Sequence, residues 1–283
     1  MMREVEAHLR SFLCRDYYED VIRLNKAISR SGNGAGLQPM MPPFAYSGNP
    51  FALRRKQCIA LFGLNPRWLG PEDKWAEREY WPVKRAVDAF RSGQEAGFHE
   101  YRRIRAGYFD DDSTIYYGKY FTRLGNLIGK HLFGYHRSTP GNTFARSVFR
   151  QSIFKTDFLP WFSNNTSDIS WGKVASSSSQ DQALQSYYEL ISSFLTALEP
   201  RWIQCNGKES RQLAELLFEA RFSEESVHGA SGKRYIFFVG ETTRPIGIPI
   251  ISHSFGRFNG EDSFSAIAAR FKALCGAHTF NFD

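Results

Sequence analysis

The sequence predicts an α/β protein with a parallel four-stranded central sheet, helices on both faces and an N-terminal helical extension. Two observations lead there. Short apolar runs recur at 58–62, 152–161, 201–205 and 246–252, and each ends in polar turn residues. Longer segments of helical periodicity separate them. Unbroken apolar runs read as strands covered on both faces, and strands alternating with helices pair in parallel.

Taken in order, residues 4–30 place Val5, Leu9, Phe12, Leu13, Tyr17, Val21, Leu24 and Ile28 near helical spacing, which predicts one or two amphipathic helices. The Gly-, Pro- and Ser-rich stretch 31–50 predicts an irregular connection. Cys58-Ile59-Ala60-Leu61-Phe62 is the first strand, ended by Gly63 and Pro66. A tryptophan-rich loop at 68–81 leads to helices at 82–98 and 121–133, and 152–161 is a second strand followed by a polar loop to 180. A helix at 181–198, a strand at 201–205 and a helix at 209–222 come next, then a strand or hairpin at 234–239, a last core strand at 246–252 and a closing helix at 263–274. One domain is expected over 1–283, with 1–50 as the extension and connection and 51–283 as the α/β core.

With 283 residues, 42% of them hydrophobic, the chain can fill a core. No run approaches the roughly 18 apolar residues of a membrane span, and the first 13 residues mix acids into their apolar pattern, so no membrane partner and a cytoplasmic location are expected. Cys14, Cys58, Cys205 and Cys275 lack a C-x-x-C pair and read as free thiols, with no metal and no cofactor expected. Asp110-Asp111-Asp112 reads as a solvated helix start, since no further ligand follows at metal-binding spacing. The net charge of +7 points to a polyanionic partner, and no obligate protein partner is evident. Arg102, Arg103 and Arg105 lie in a region where basic residues alternate with Tyr and Phe, a composition suited to phosphate contact and base stacking, or equally to a solvated face over an aromatic core.

Four strand ends offer polar side chains: Asn65, Asp157, Asn206 and His253. In open α/β sheets the ligand crevice lies beyond the carboxyl ends of the strands. Cleavage that expels a weakly basic leaving group needs a positioned water and a group that takes up charge on the departing fragment, roles open to Asn65 and His253. Each also has a plain structural reading, Asn65 as a turn cap and His253 as a hydrogen-bonded strand-end residue. No Gly-rich phosphate loop or G-x-S-x-G elbow is present, which removes the usual parts of nucleotide and serine hydrolases.

Gly63-Leu64-Asn65-Pro66 resembles the first motif of the uracil-DNA glycosylase superfamily in its Asn-bearing form, and His253-Ser254 resembles the start of its second. The resemblance covers about 57–274 and implies a monofunctional DNA glycosylase whose partner is DNA. It implies that Asn65 positions the hydrolytic water and His253 stabilises the leaving base. Asp157 would face the edge of a flipped base, with Gly63, Leu64, Pro66, Phe158 and Asn206 lining the substrate and Tyr80 or Trp81 stacking on it. Arg257 and Phe258 would wedge into the DNA. Arg67-Trp68, Ser254-Phe255-Gly256 and Asp157 depart from the family pattern.

An ionised Asp157 only accepts hydrogen bonds, which suits the exocyclic amine of cytosine and repels O4 of uracil. The expected target is therefore a 5-substituted cytosine, such as the glucosylated hydroxymethylcytosine of bacteriophage DNA that antiviral members of the superfamily remove. Uracil repair is the alternative, and Asp157 paired with Lys155 or an arginine and never meeting a base is the structural one. Two other functions stay open: a catalytically silent DNA-binding or sensor module, since an amide at 65 is no strong base, and a small-molecule nucleoside hydrolase.

Overall fold

The computed structural model describes residues 1–73, 76–110, 118–134, 142–243, 247–253 and 260–275. The chain forms two compact units: 1–51, 63–115 and 155–197 make the first, and 52–62, 116–154 and 198–283 the second.

In the first unit the N-terminal periodicity becomes α1 (Met2–Cys14) and α2 (Tyr17–Ala27), separated by Asp16, whose carboxylate caps α2 by accepting from the amides of Tyr18 and Glu19. The apolar stripe of α1 is buried, and Phe12 packs on Trp161 and Tyr187 with ring centroids 5.9 and 5.3 Å apart. A single helix expected at 82–98 is two, α3 (Trp81–Arg91) and α4 (Glu95–Ala106). Gly93 breaks it, with a φ of 89° that a side-chain-bearing residue adopts poorly.

The strands form one six-stranded sheet, in the order β2 (Ile153–Asp157), β1 (Ile59–Gly63), β3 (Ile203–Cys205), β6 (Pro249–Ser252), β5 (Arg234–Glu241) and β4 (Arg221–His228), most of it in the second unit. The chain passes into the first unit at Gly63 on leaving β1 and at Lys155 within β2. β1 runs parallel to β3, and β3 to β6, so that Phe62, Cys205 and Ser252 are level. β5 then runs antiparallel to β6, and β4 to β5.

The expected parallel four-stranded sheet is therefore corrected to a six-stranded mixed one. β5 and β4 are joined by a tight turn in which Gly229 donates to the Lys233 carbonyl, and such a connection permits only antiparallel pairing. β4 was hidden because Arg-Phe-Ser-Glu-Glu-Ser-Val-His has no apolar run; it is an exposed edge strand.

Helices α5 (Gly118–Leu127) and α6 (Asn142–Ser152) pack on each other, α9 (Lys208–Leu217) on β3 and β6, and α10 (Glu261–Cys275) on β4 and β5. The polar stretch after β2 conceals α7 (Trp171–Ser177), and α8 (Gln182–Leu198) follows as expected. Among the described residues no helix is long and apolar enough to cross a membrane.

Candidate functional site

The turn after β1 is built by the segment after β2. Phe158 and Leu159 donate their amides to the carbonyls of Gly63 and Leu64, at 3.0 and 2.9 Å, and Ser163 donates to the Pro66 carbonyl at 3.1 Å. The Trp68 amide returns the contact to the Ser163 carbonyl at 2.8 Å. Within this clamp the Asn65 amide nitrogen lies 2.7 Å from Ser163 Oγ, 3.3 Å from the Trp161 carbonyl and 3.2 Å from the Pro66 carbonyl. Carbonyls only accept, so the NH2 end must face them, and the orientation of the amide is settled. Its Oδ1 is buried with no partner among the described residues. An orphan acceptor held on a rigid turn is a ready site for one O–H of a water molecule.

Asp157 ends β2 at 5% exposure. Lys155 Nζ lies 2.5 Å from its Oδ2, so the ion pair foreseen as the structural alternative is present. Its Oδ1 rests against Gly63, where any Cβ would collide with it. The Tyr187 hydroxyl donates to the Asp157 backbone carbonyl at 2.5 Å and lies 2.8 Å from Thr156 Oγ1, which fixes the strand end.

Tyr80 is buried and donates to the Arg67 carbonyl at 3.2 Å. Its ring lies 4.9 Å from Trp68 and 5.0 Å from Phe162, and Trp81 meets Trp68 edge-on at 6.3 Å. Phe158 is wholly buried, so its contribution is the backbone rather than a stacking ring.

The sequence reading missed Glu79, in the π-helical turn Ala76–Tyr80. It is 7% exposed, forms a hydrogen bond with Tyr108, and leaves Oε1 without a partner among the described residues. Burial raises its pKa to about 7, against the opposing pull of Arg105, Lys155 and Tyr108. Ser163, which holds Asn65, was passed over as one serine in a polar loop.

The three arginines expected at DNA have different surroundings. Arg103 is open, with 72% of its side chain exposed, and pairs with Glu100 at 2.6 Å. Arg102 pairs with Glu6 at 2.9 Å and lies over the Phe51 ring. Arg105 is 1% exposed, a core residue rather than a surface contact. Its guanidinium donates to the Tyr46 carbonyl at 2.7 Å and to Ser47 Oγ at 2.5 Å, tying the 31–50 connection to α4.

In the second unit, Asn206 and His253 leave the level ends of β3 and β6. The Asn206 carbonyl accepts from Ser210 at 3.2 Å, at the start of α9. His253 is buried, its amide donates to the Cys205 carbonyl at 3.3 Å, and its Nδ1 lies 3.0 Å from the Ile236 carbonyl. Since that carbonyl can only accept, Nδ1 carries the proton, and in the neutral ring Nε2 is a lone pair. Burial holds the pKa below the usual histidine value, so the charged form that would donate from Nε2 is disfavoured. Arg257, Phe258 and Ser254 lie outside the described residues.

The described residues contain no group of three or more His, Cys, Asp or Glu placed to hold a metal ion. Compared with protein-family models, curated proteins and solved structures, the chain matches none.

Proposed function

We propose that the protein is a monofunctional DNA glycosylase that flips a modified base from DNA and hydrolyses its N-glycosidic bond. The observation that carries this reading is the Asn65 amide, locked through Nδ2 on one side and presenting on the other an Oδ1 with no partner among the described residues. Such a group orients a water without deprotonating it. That suits a reaction in which the bond to the base breaks early and the sugar becomes a strong electrophile. The resemblance of the Gly63–Pro66 and His253 motifs to the uracil-DNA glycosylase superfamily supports the same assignment.

The favoured substrate is a 5-substituted cytosine, including the glucosylated hydroxymethylcytosine of bacteriophage DNA, with antiviral defence as the biological role. The support is the residue type at 157: a carboxylate can accept from an exocyclic amine of cytosine, and Lys155 at 2.5 Å balances its charge. DNA carrying uracil, 5-hydroxymethylcytosine or its glucosylated form, incubated with the full chain and followed by mass spectrometry of released bases, tests both parts. Release of a cytosine derivative is expected; release of uracil alone would move the assignment to repair.

One observation favours a second reading, a catalytically silent DNA-binding module: no carboxylate stands in the place of the Asn65 amide. Tight DNA binding without an alkali-labile abasic site in any substrate would support it.

A further inference from the structure

His253 donates its Nδ1 proton to the Ile236 carbonyl, so in its neutral form it has none to give a leaving base. Cytosine is a worse leaving group than uracil, because the anion left by breaking its glycosidic bond is more basic; protonation of its ring nitrogen removes that difficulty. The first unit contains a group of the right kind. Glu79 is more than nine-tenths buried, and its Oε1 has no partner among the described residues. Tyr108 hydrogen-bonds the carboxyl, while Arg105 and Lys155 are the cations that act on it and Asp157 lies beyond Lys155. Glu79 is also joined to the Asn65 turn: its neighbour Tyr80 donates to Arg67 and stacks near Trp68, while Lys155 leads through Asp157 to Gly63.

We propose that Glu79 is the proton donor of the reaction, delivering its carboxyl proton to the ring nitrogen of an amino-pyrimidine base as the glycosidic bond breaks. This rests on the glycosylase reading above and adds to it the source of the proton. As the C1′–N1 bond breaks, its electron pair stays with the base, the Glu79 proton goes to ring N3, and the base departs neutral. The water held at Asn65 adds its oxygen to C1′ and loses one proton to solvent, from which the Glu79 carboxylate is reprotonated. The sum is one water consumed, one sugar hydroxyl formed and one neutral base released.

Glu79 suits the role because burial keeps it protonated up to about pH 7, near the pH at which it must act. Asp157 is ion-paired to Lys155 at 2.5 Å, whereas Glu79 carries a hydrogen bond from Tyr108 and is held mainly by burial, a difference that assigns acceptor and acid.

The test is the pH profile of base release by the full chain between pH 5 and 9, on DNA containing 5-hydroxymethylcytosine and its glucosylated form. For the wild type the rate is expected to fall about tenfold per pH unit above about 7. Glu79→Gln should be about 100-fold slower at pH 6 and should lose that alkaline fall, while its affinity for abasic DNA is kept. Tyr108→Phe removes a hydrogen bond that favours the carboxylate, so its alkaline fall should shift to higher pH; it serves also if the Gln variant does not fold. An alkaline fall that survives unchanged in either variant, with base still released, overturns this inference alone. Absence of base release by the wild type from every DNA overturns the glycosylase reading and this inference with it.

Discussion

Asn65 follows β1 in the first unit and His253 follows β6 in the second; both are polar side chains at the ends of apolar strands, and their surroundings treat them oppositely. The amide is held by its donor end, on Ser163, Trp161 and Pro66, and its acceptor meets no partner among the described residues. The imidazole is held by its only proton, on Ile236, and burial discourages a second. The difference separates positioning from proton supply. In the forms favoured at neutral pH each group has only an acceptor left to offer, so the proton of the proposed reaction has to come from a residue that neither motif contains.

The sharpest way to break this comparison is to compare the two alanine variants. Asn65→Ala should lower base release by about 100-fold and His253→Ala by about tenfold, with DNA affinity kept in both. Equal losses, or parallel losses of thermal stability, would make the two turns equivalent structural devices. A second test is Asn65→Asp, which faces two carbonyls with an acceptor-only group. It should destabilise the protein by roughly 1–3 kcal/mol in denaturant unfolding, and a stable variant would show that the clamp does not set the orientation of the amide.

Stability against pH separates the groups again. His253 has a folded pKa below the usual 6.5, so the unfolded chain binds a proton first and stability is lost as pH falls through 6.5. Glu79 has a folded pKa raised from 4.5 to about 7, so its contribution is complete below 4.5 and is lost as pH rises towards 7. Relative to wild type, His253→Asn should therefore gain melting temperature towards acid and Glu79→Gln towards alkali. The smallest effect is expected at Arg103, whose exposed ion pair contributes under about 1 kcal/mol. Arg103→Glu should leave melting nearly unchanged yet reduce the salt slope of DNA binding by about one; an unchanged slope would remove Arg103 from the DNA surface.

Much of this was legible in the sequence where neighbours along the chain decide the outcome. The stripe of α1 and α2, the apolar β1 run and the Asn65 turn all follow from local spacing. What was not legible depends on partners distant in sequence. Arg105 looks like its neighbours Arg102 and Arg103, and only packing against Tyr46 and Ser47 makes it a core residue. Glu79 sits among other acids and gains its character from Tyr108 and from burial. β4 carries the polar composition of a loop because, among the described residues, one side of it faces no further strand.

That last strand also bears on how the molecule behaves in company. A terminal strand presents unpaired amides and carbonyls to any passing chain, and a flat apolar one invites copies to add on and aggregate. Here Arg221, Glu224 and His228 stand exposed along it, and Glu225 is tied at 3.0 Å to Arg270. The composition that concealed β4 as a strand is also what makes it a poor template for a further strand in a crowded solution.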